Sequence, residues 1–322
     1  MTPLSAPLAF HDFQPDADDF FQDAAHGLSK PQKELPAKYF YDERGSRLFD
    51  EICDAPEYYP TRTEIRLLQD YAPDIAAIIG ARCVLIEYGS GSSRKVPLLL
   101  RALREPLAYV PVDICREYLL ASSATIAAAH PHLAVTAVCA DYTRLTHLPR
   151  AYPCARKVVF FPGSTIGNYT PMEAIRLLRN AARLVGEGGG MLIGVDLKKS
   201  PALLHAAYND ARGVTARFNL NMLARMNREL QTDFDLNNFA HHAYYHAARG
   251  RIEMHLCSLC TQTVRMAAHG FHFRAGETIH TENSYKYTVE EFQMMAEAAD
   301  FKPMRVWTDA RRLFSLHYLE AC

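Results

Sequence analysis

The segment that most constrains the fold is residues 84–95, where an apolar run ends in Glu87 and is followed by Gly89 and Gly91. A β-branched apolar run, two glycines and then a helix-like pattern predict a buried strand, a tight turn and the start of a helix. In open α/β sheets, small ligands bind just beyond the carboxyl ends of such strands. Glycines at the turn let a ligand lie against the backbone. The segment therefore predicts a cofactor site without yet indicating which cofactor.

Strand and helix patterns continue to alternate along the first two thirds of the chain. The predicted strands are residues 83–87, 108–113, 133–139, 157–161 and 191–195. The predicted helices between them are residues 94–104, 116–129 and 171–184. Alternation of this kind predicts an α/β fold with parallel strands and a sheet that is covered on both faces.

The alternation breaks after residue 199. Residues 200–227 have a long helical pattern that contains Gly213, and residues 249–267 and 271–287 alternate as strands do. A helix at residues 289–299 and strands at 304–308 and 314–319 then complete the sheet. We therefore predict a sheet domain of residues 62–198 and 287–322, and a substrate-binding lobe of residues 1–61 and 199–286. His241, His242 and His246 lie in a polar stretch that we expect to be loop or surface.

Composition and charge restrict the class of partner. The 322 residues are 49% hydrophobic and 22% charged, which is typical of a soluble globular protein, and the formal net charge of −1 gives no electrostatic footprint for nucleic acid or a membrane. The acidic N-terminal stretch lacks the layout of a signal peptide, and eight scattered cysteines favour reduced thiols. We expect a cytoplasmic monomer that acts on a small molecule. Cys257 and Cys260 form one pair without further ligands at zinc spacing, so no metal site is expected.

The residues around the turn bear on the choice of cofactor. A dinucleotide fingerprint needs a third glycine, and Arg94 stands in that place. Asp113, at the end of the second predicted strand, could hold the ribose of any adenosine cofactor. Glu87 would repel a pyrophosphate and favour a cationic ligand. S-adenosylmethionine is such a ligand. Lys95, in the polar run Ser92-Ser93-Arg94-Lys95, could pair with its carboxylate, and Asp141, after the third predicted strand, could accept a hydrogen bond from its adenine amine.

Several separated stretches together resemble one family. They are Lys38-Tyr39-Phe40-Tyr41-Asp42, residues 56–64 (PEYYPTRTE), the Glu87-x-Gly-Ser-Gly turn, Gly163-Ser164-Thr165-Ile166-Gly167-Asn168, residues 227–235 (NRELQTDFD) and Arg251-Ile252-Glu253-Met254. The chain resembles the histidine-specific, S-adenosylmethionine-dependent methyltransferases of the ergothioneine pathway from about Leu35 onward. The resemblance implies a Rossmann-like class I methyltransferase sheet with an inserted α+β substrate-binding lobe. It also implies transfer of three methyl groups to the α-amino nitrogen of L-histidine.

The resemblance assigns roles to individual positions. It implies that S-adenosylmethionine is bound by Gly89, Lys95, Asp113, Asp141 and Tyr142. It implies that the substrate carboxylate is held by Asn168 and Tyr208, and that Tyr58, Glu282 and Ser284 line the imidazole and amino side, with Tyr41 and Gly163 nearby. The family commonly has leucine at the position of Tyr88 and Gly-Asp-Phe at residues 140–142, and neither departure removes a hydrogen-bonding group.

Two features of the implied site bear on its chemistry. A carboxylate such as Glu282 can accept a ring N–H, and the Ser284 hydroxyl can bond the other imidazole nitrogen. The matched motifs contain hydroxyls and amides but no histidine, so we expect the amine proton to leave through Tyr58 and water. The alternatives are methylation of another amino acid or a histidine derivative, a nicotinamide-dependent oxidoreductase, and a binding module without turnover.

Overall fold

The computed structural model describes residues 8–13, 17–91 and 94–322, so Ser92 and Ser93 of the polar run and part of the acidic N-terminal stretch lie outside the described residues. The α-helices of the described part are α1 (Ala17–Leu28), α2 (Glu43–Cys53), α3 (Tyr59–Ile79), α4 (Val96–Ala102), α5 (Arg116–Ala129), α6 (Pro171–Val185), α7 (Pro201–Tyr208), α8 (Val214–Glu229) and α9 (Val289–Glu297). Its strands are β1 (Leu8–Asp12), β2 (Lys33–Glu34), β3 (Val84–Tyr88), β4 (Ala108–Asp113), β5 (Ala134–Cys139), β6 (Lys157–Phe161), β7 (Gly190–Asp196), β8 (Phe239–His246), β9 (Arg251–Ser258), β10 (Gln262–Met266), β11 (His269–Phe273), β12 (Thr278–Tyr285), β13 (Phe301–Thr308) and β14 (Phe314–Ala321).

The chain folds as two compact units. The first unit contains the described N-terminal residues 8–13 together with residues 60–198 and 286–322. The second unit contains residues 17–59 and 199–285.

The first unit is built on an eight-stranded sheet with the order β1-β5-β4-β3-β6-β7-β14-β13. In this order, each strand from β1 across to β7 is parallel to its neighbours, whereas β14 is antiparallel to both β7 and β13. From β3 the chain first builds outward through β4 and β5 and then returns to β6 on the other side. The carboxyl end of β3 is therefore the topological switch point at which open α/β sheets bind ligands. The predicted α/β fold with a mainly parallel sheet is confirmed.

Local sequence signals explain where several helices of this unit begin. At α6, Thr170 and Glu173 form a reciprocal capping box, and Pro171 takes the first helical position. At α9, Thr288 and Glu291 form a second capping box. Thr61 and Thr63 lie inside the first turns of α3, which begins at Tyr59.

The N-terminal strand differs from the prediction that residues 1–61 belong entirely to the substrate-binding lobe. Strand β1 pairs with β5, from Leu8 opposite Val135 to Asp12 opposite Cys139, and so belongs to the first unit. Arg116 of α5 lies over the ring of Phe10 and also pairs with Asp12. The pairing depends on residues more than a hundred positions away, which a short strand pattern does not reveal.

The second unit contains a four-stranded sheet with the order β2-β12-β9-β8 and a separate hairpin of β10 and β11. Strand β9 is antiparallel to both neighbours, and residues 252, 254 and 256 are buried on one face of it. Helix α8 packs against α2 and against strands β8 and β9.

Two sequence predictions in the second unit need correction. The helical pattern of residues 200–227 is divided between α7 and α8, with Gly213 in the left-handed region (φ 64°) just before α8. The polar stretch with His241, His242 and His246, expected to be loop or surface, is not a loop but the strand β8, in which His242 is exposed. The stretch looks polar because β8 is an edge strand that buries few side chains. Its histidines mask the alternation of apolar and polar residues by which a strand is recognised.

Among the described helices, none is long and apolar enough to span a lipid bilayer.

Candidate active site

The glycine turn after β3 is held against the end of β4. Gly89 and Gly91 have positive φ angles of 68° and 45°, so both positions favour glycine. The Gly89 N–H donates to the carbonyl of Val112 (2.9 Å), and the Gly91 N–H donates to Oδ2 of Asp113 (2.9 Å). The turn therefore presents bare backbone at the switch point of the sheet.

Asp113 organises this edge. Its other oxygen accepts the backbone N–H of Cys115 (2.9 Å), so the carboxyl spans from the glycine turn to the start of α5. The side chain is 8% exposed, and burial raises the pKa of its carboxyl. Three backbone N–H groups, those of Gly91, Ile114 and Cys115, donate to this carboxyl, and a carboxylate has about four lone-pair sites, so one is left for a ribose hydroxyl.

Asp141 and Tyr142 lie beside the same turn. Oδ1 of Asp141 accepts the N–H of Thr143 (2.9 Å) and fixes the short helical turn that begins at Tyr142. The Tyr142 ring stacks on Tyr88, with centroids 5.1 Å apart, and its edge is 3.9 Å from a Cβ placed on Gly89. The two tyrosines that depart from the family pattern are therefore one stacked pair.

Lys95 forms a buried ion pair that the sequence did not predict. Its Nζ lies 2.6 Å from Oε2 of Glu64, a residue of α3 with no exposed surface. The Glu64 carboxylate also accepts the N–H of Gly163, at 2.9 Å from Oε2. A Cβ on Gly194 would lie 2.1 Å from Oε1 of Glu64, so the glycine leaves the space for the carboxylate. The spacing between Glu64 and Leu67, which places both on one face of a helix, is the sequence signal that could have indicated a buried carboxylate here.

Glu87 does not carry the charge that we expected. The residue is 1% exposed, its carboxyl accepts a hydrogen bond from the Tyr109 hydroxyl, and burial raises its pKa to about 8. The carboxyl therefore holds a proton at neutral pH in the free protein. A carboxyl on a fully buried strand is desolvated, so the negative charge that we expected to repel a pyrophosphate is disfavoured in the free protein.

Replacing Glu87 with glutamine should flatten the pH dependence of stability. The folded pKa of about 8 lies above the ordinary value of 4.5. The contribution of Glu87 is therefore complete below about pH 4.5 and is lost as the pH rises to 8, by about 1.4 kcal/mol per pH unit. Thermal unfolding of the cofactor-free protein between pH 5 and 9 measures this difference. Parallel curves for the wild type and Glu87→Gln, which keeps an acceptor for Tyr109, would contradict the assignment.

The predicted substrate residues fall in both units. Tyr41, Tyr58, Tyr208, Glu282 and Ser284 belong to the second unit, whereas Gly163 and Asn168 lie in the first unit, on the loop after β6. Within the first unit, a Cβ on Gly163 would lie 3.4 Å from Nζ of Lys95.

The second unit brings its predicted residues together. The Tyr208 hydroxyl, at the end of α7, donates to Oγ of Ser284 on β12 (2.6 Å). The Tyr58 ring meets the Tyr208 ring edge-on at 6.2 Å. Burial raises the pKa of Tyr58 well above its usual value, and the nearby Tyr208, Glu282 and Tyr41 raise it further. These five side chains therefore form one polar cluster that is rich in hydroxyl groups.

A second polar cluster lies on the opposite face of the same sheet. One ligand atom from each of Glu253, His255 and His280 lies within 4.8 Å of the others, a grouping that could hold a metal ion. However, Glu253 is already paired with Arg251, and the two imidazole rings stack nearly in parallel at 4.7 Å. Parallel rings do not point their nitrogens at a common centre, so we assign no metal to this cluster.

Comparison with known proteins identifies the family. Residues 20–321 match the model of the family described as histidine-specific methyltransferase, SAM-dependent. The chain is 41% identical to a histidine N-alpha-methyltransferase of Mycolicibacterium smegmatis, over 93% of this chain and 94% of that protein. It is 40% identical to the protein of the same name from Mycobacterium tuberculosis, over 92% of each. It is 30% identical to ergothioneine biosynthesis protein 1 of Neurospora crassa, over 89% of this chain and 33% of that protein. The chain thus belongs to the family of histidine-specific, S-adenosylmethionine-dependent methyltransferases.

Proposed function

We propose that this protein transfers methyl groups from S-adenosylmethionine to the α-amino nitrogen of L-histidine, giving Nα,Nα,Nα-trimethyl-L-histidine for ergothioneine biosynthesis. The observation that carries the proposal is the polar cluster of the second unit, where the Tyr208 hydroxyl bonds Ser284 and Glu282 lies near Tyr58. A carboxyl and a hydroxyl on one strand match the two nitrogens of an imidazole. A site built to bond those nitrogens rejects side chains that lack them.

The first unit fits the adenosine and amino-acid parts of the cofactor. The turn at Gly89 offers backbone, Asp113 and Asp141 offer carboxylate oxygens, and the Tyr142 ring offers a flat apolar surface. The Lys95 ammonium group would pair with the cofactor carboxylate and would keep its ion pair with Glu64. When bound, the sulfonium supplies an electrophilic methyl group, so the protein needs mainly to align the amine with it.

The protein side of the reaction then consists of orientation and proton removal. Tyr208 and Asn168 would hold the substrate carboxylate, with Gly163 and Tyr41 nearby, as the family resemblance implies. An ammonium group must lose its proton before its nitrogen can attack. We assign the first step of that proton's path to the Tyr58 hydroxyl, followed by water.

The enzyme acts on a small-molecule substrate, and we propose that it does so as a cytoplasmic monomer. The near balance of charge, with a net value of −1, gives no reason to expect nucleic acid or a membrane surface as a partner.

Product mass tests the proposed function directly. We expect L-histidine incubated with the enzyme and excess S-adenosylmethionine to gain the mass of three methyl groups, because tyrosine faces stabilise a growing cation. Phenylalanine and tryptophan, which lack the imidazole, serve as controls and should gain none. A product that stops at one methyl group would contradict trimethylation, and preferential methylation of another amino acid would contradict the substrate.

A further inference from the structure

Strand β12 contains one residue more than its partner β9 at the position of Thr281. His280 lies opposite His255 and Glu282 lies opposite Met254, so Thr281 has no partner in the ladder. An extra residue of this kind is a β-bulge, which often re-aims the side chains that follow it.

The bulge decides which face of the sheet carries Glu282 and Ser284. If Thr281 were paired in a regular ladder, Glu282 would lie opposite Glu253. It would then be on the face of Glu253 and His255, since a one-residue slip exchanges the two faces of a strand. With Thr281 set aside, Glu282 lies opposite Met254 and Ser284 opposite Ile252. On this face, Oγ of Ser284 accepts a hydrogen bond from the Tyr208 hydroxyl.

A buried asparagine holds the bulge in place. Thr281 is 2% exposed, and its hydroxyl lies 2.8 Å from Oδ1 of Asn219 on α8 and 3.1 Å from the carbonyl of Met254. Asn219 has no exposed surface, and its Nδ2 donates to the carbonyl of His255 and to Nδ1 of His241, each at 2.9 Å. Its carbonyl oxygen and both amide hydrogens are thus engaged, which fixes the orientation of the amide.

The same asparagine also sets the tautomer of His241. Because Nδ1 accepts from Asn219, the ring proton is on Nε2, which donates to the backbone carbonyl of Tyr208 (3.0 Å). Burial lowers the pKa of His241, in keeping with a neutral ring. One residue of α8 is therefore linked both to the strand that carries Glu282 and Ser284 and to the last residue of α7.

We propose that Asn219, Thr281 and His241 are positioning residues that set the histidine specificity of this enzyme by fixing where Glu282, Ser284 and Tyr208 stand. The inference rests on the proposed function, because those three residues are assigned there to the substrate. The positioning residues act on the assigned substrate residues and their strand through the hydrogen bonds described above.

Replacement of Thr281 with valine tests the inference. Valine keeps the shape of threonine but leaves Oδ1 of Asn219 without its donor. We expect the KM for histidine to rise by a factor of about ten, the value of one such hydrogen bond, while the KM for S-adenosylmethionine stays unchanged. Thr281→Ser restores the hydroxyl and should restore the histidine KM. Thr263→Val, an exposed strand position of the same unit, is the matched control.

A second pair of variants guards against a folding defect in Thr281→Val. In His241→Leu the donor to Tyr208 is lost, and the histidine KM should rise similarly. In His241→Gln an amide N–H replaces Nε2–H and should return the KM toward the wild-type value. Calorimetric titration of histidine into each variant saturated with S-adenosylhomocysteine gives the affinity without turnover.

The possible outcomes separate the two proposals. Wild-type protein that does not methylate histidine would overturn the proposed function and this inference with it. Wild-type activity combined with an unchanged histidine KM in Thr281→Val and His241→Leu would overturn the inference alone. Equal losses for histidine and S-adenosylmethionine would also overturn it, because they indicate a general structural role. A loss confined to histidine, with rescue by serine and glutamine, would support it.

Discussion

Replacement of Lys95 with methionine is expected to destabilise the free enzyme by about 3–5 kcal/mol, because it leaves the Glu64 carboxylate buried without its cation. Glu64 has no exposed surface, and the Lys95 side chain is 16% exposed. Within the described part of the chain, the carboxylate keeps the N–H of Gly163 as a donor (2.9 Å), and this group carries no full charge.

The single tryptophan makes this loss measurable in the unit concerned. Trp307 lies on β13 of the first unit and is 4% exposed, so its fluorescence follows the unfolding of that unit in urea. The double variant Glu64→Gln with Lys95→Met removes both charges and keeps an acceptor for Gly163. It should be more stable than Lys95→Met alone.

An exposed ion pair supplies the control. Lys198 pairs with Glu291, with side chains 39% and 41% exposed, so Lys198→Met should cost at most about 1 kcal/mol. An unfolding midpoint of Lys95→Met that equals that of Lys198→Met would contradict the view that the Glu64 pair is energetically buried.

Removing the Tyr58 hydroxyl is expected to lower kcat by a factor of about 100, the lower end of the range for proton transfer by a positioned side chain. Tyr58 is 8% exposed, and burial raises the pKa of its phenol well above the usual value. The group therefore stays neutral at working pH and can take the amine proton only by passing on its own. Phenylalanine keeps the ring contacts with Tyr208 and Phe49 and removes this path.

The measurement is the pH–rate profile of Tyr58→Phe with saturating substrates. We expect a lower plateau, with an unchanged KM for S-adenosylmethionine. Tyr71→Phe, a partly buried tyrosine of α3 that packs on Trp307, should behave as the wild type. If the rate and the profile of Tyr58→Phe match those of the wild type, Tyr58 has no part in proton removal.

The central sheet could be predicted from the sequence because its strands have local signatures. Strands β4 and β6 coincide with the predicted residues 108–113 and 157–161, since buried parallel strands are short apolar runs. Edge strands lack that signature. β1 and β8 were missed because their pairing partners, and not their own residues, make them strands.

The site could be predicted in part. The position of the glycine turn and of Asp113 at one sheet edge could be predicted because strand ends and turns leave a sequence pattern, and a hydrogen bond joins the two in the structure. The charge of Glu87 was misjudged because protonation depends on burial, which one residue's identity does not reveal. Asn219 has no sequence signal, since its partners come from three strands distant in sequence.

The position of β14 has a consequence for biosynthesis. This strand is inserted between β7 and β13, and Phe314, Leu316 and Tyr318 on it have no exposed surface. During translation, the edge of β7 that pairs with β14 therefore remains unpaired until residues 314–321 have left the ribosome. An open apolar strand edge is a template for aggregation. Ribosome-bound chains that end before β14 should therefore depend on chaperones, and small truncations there should damage the interior of the sheet.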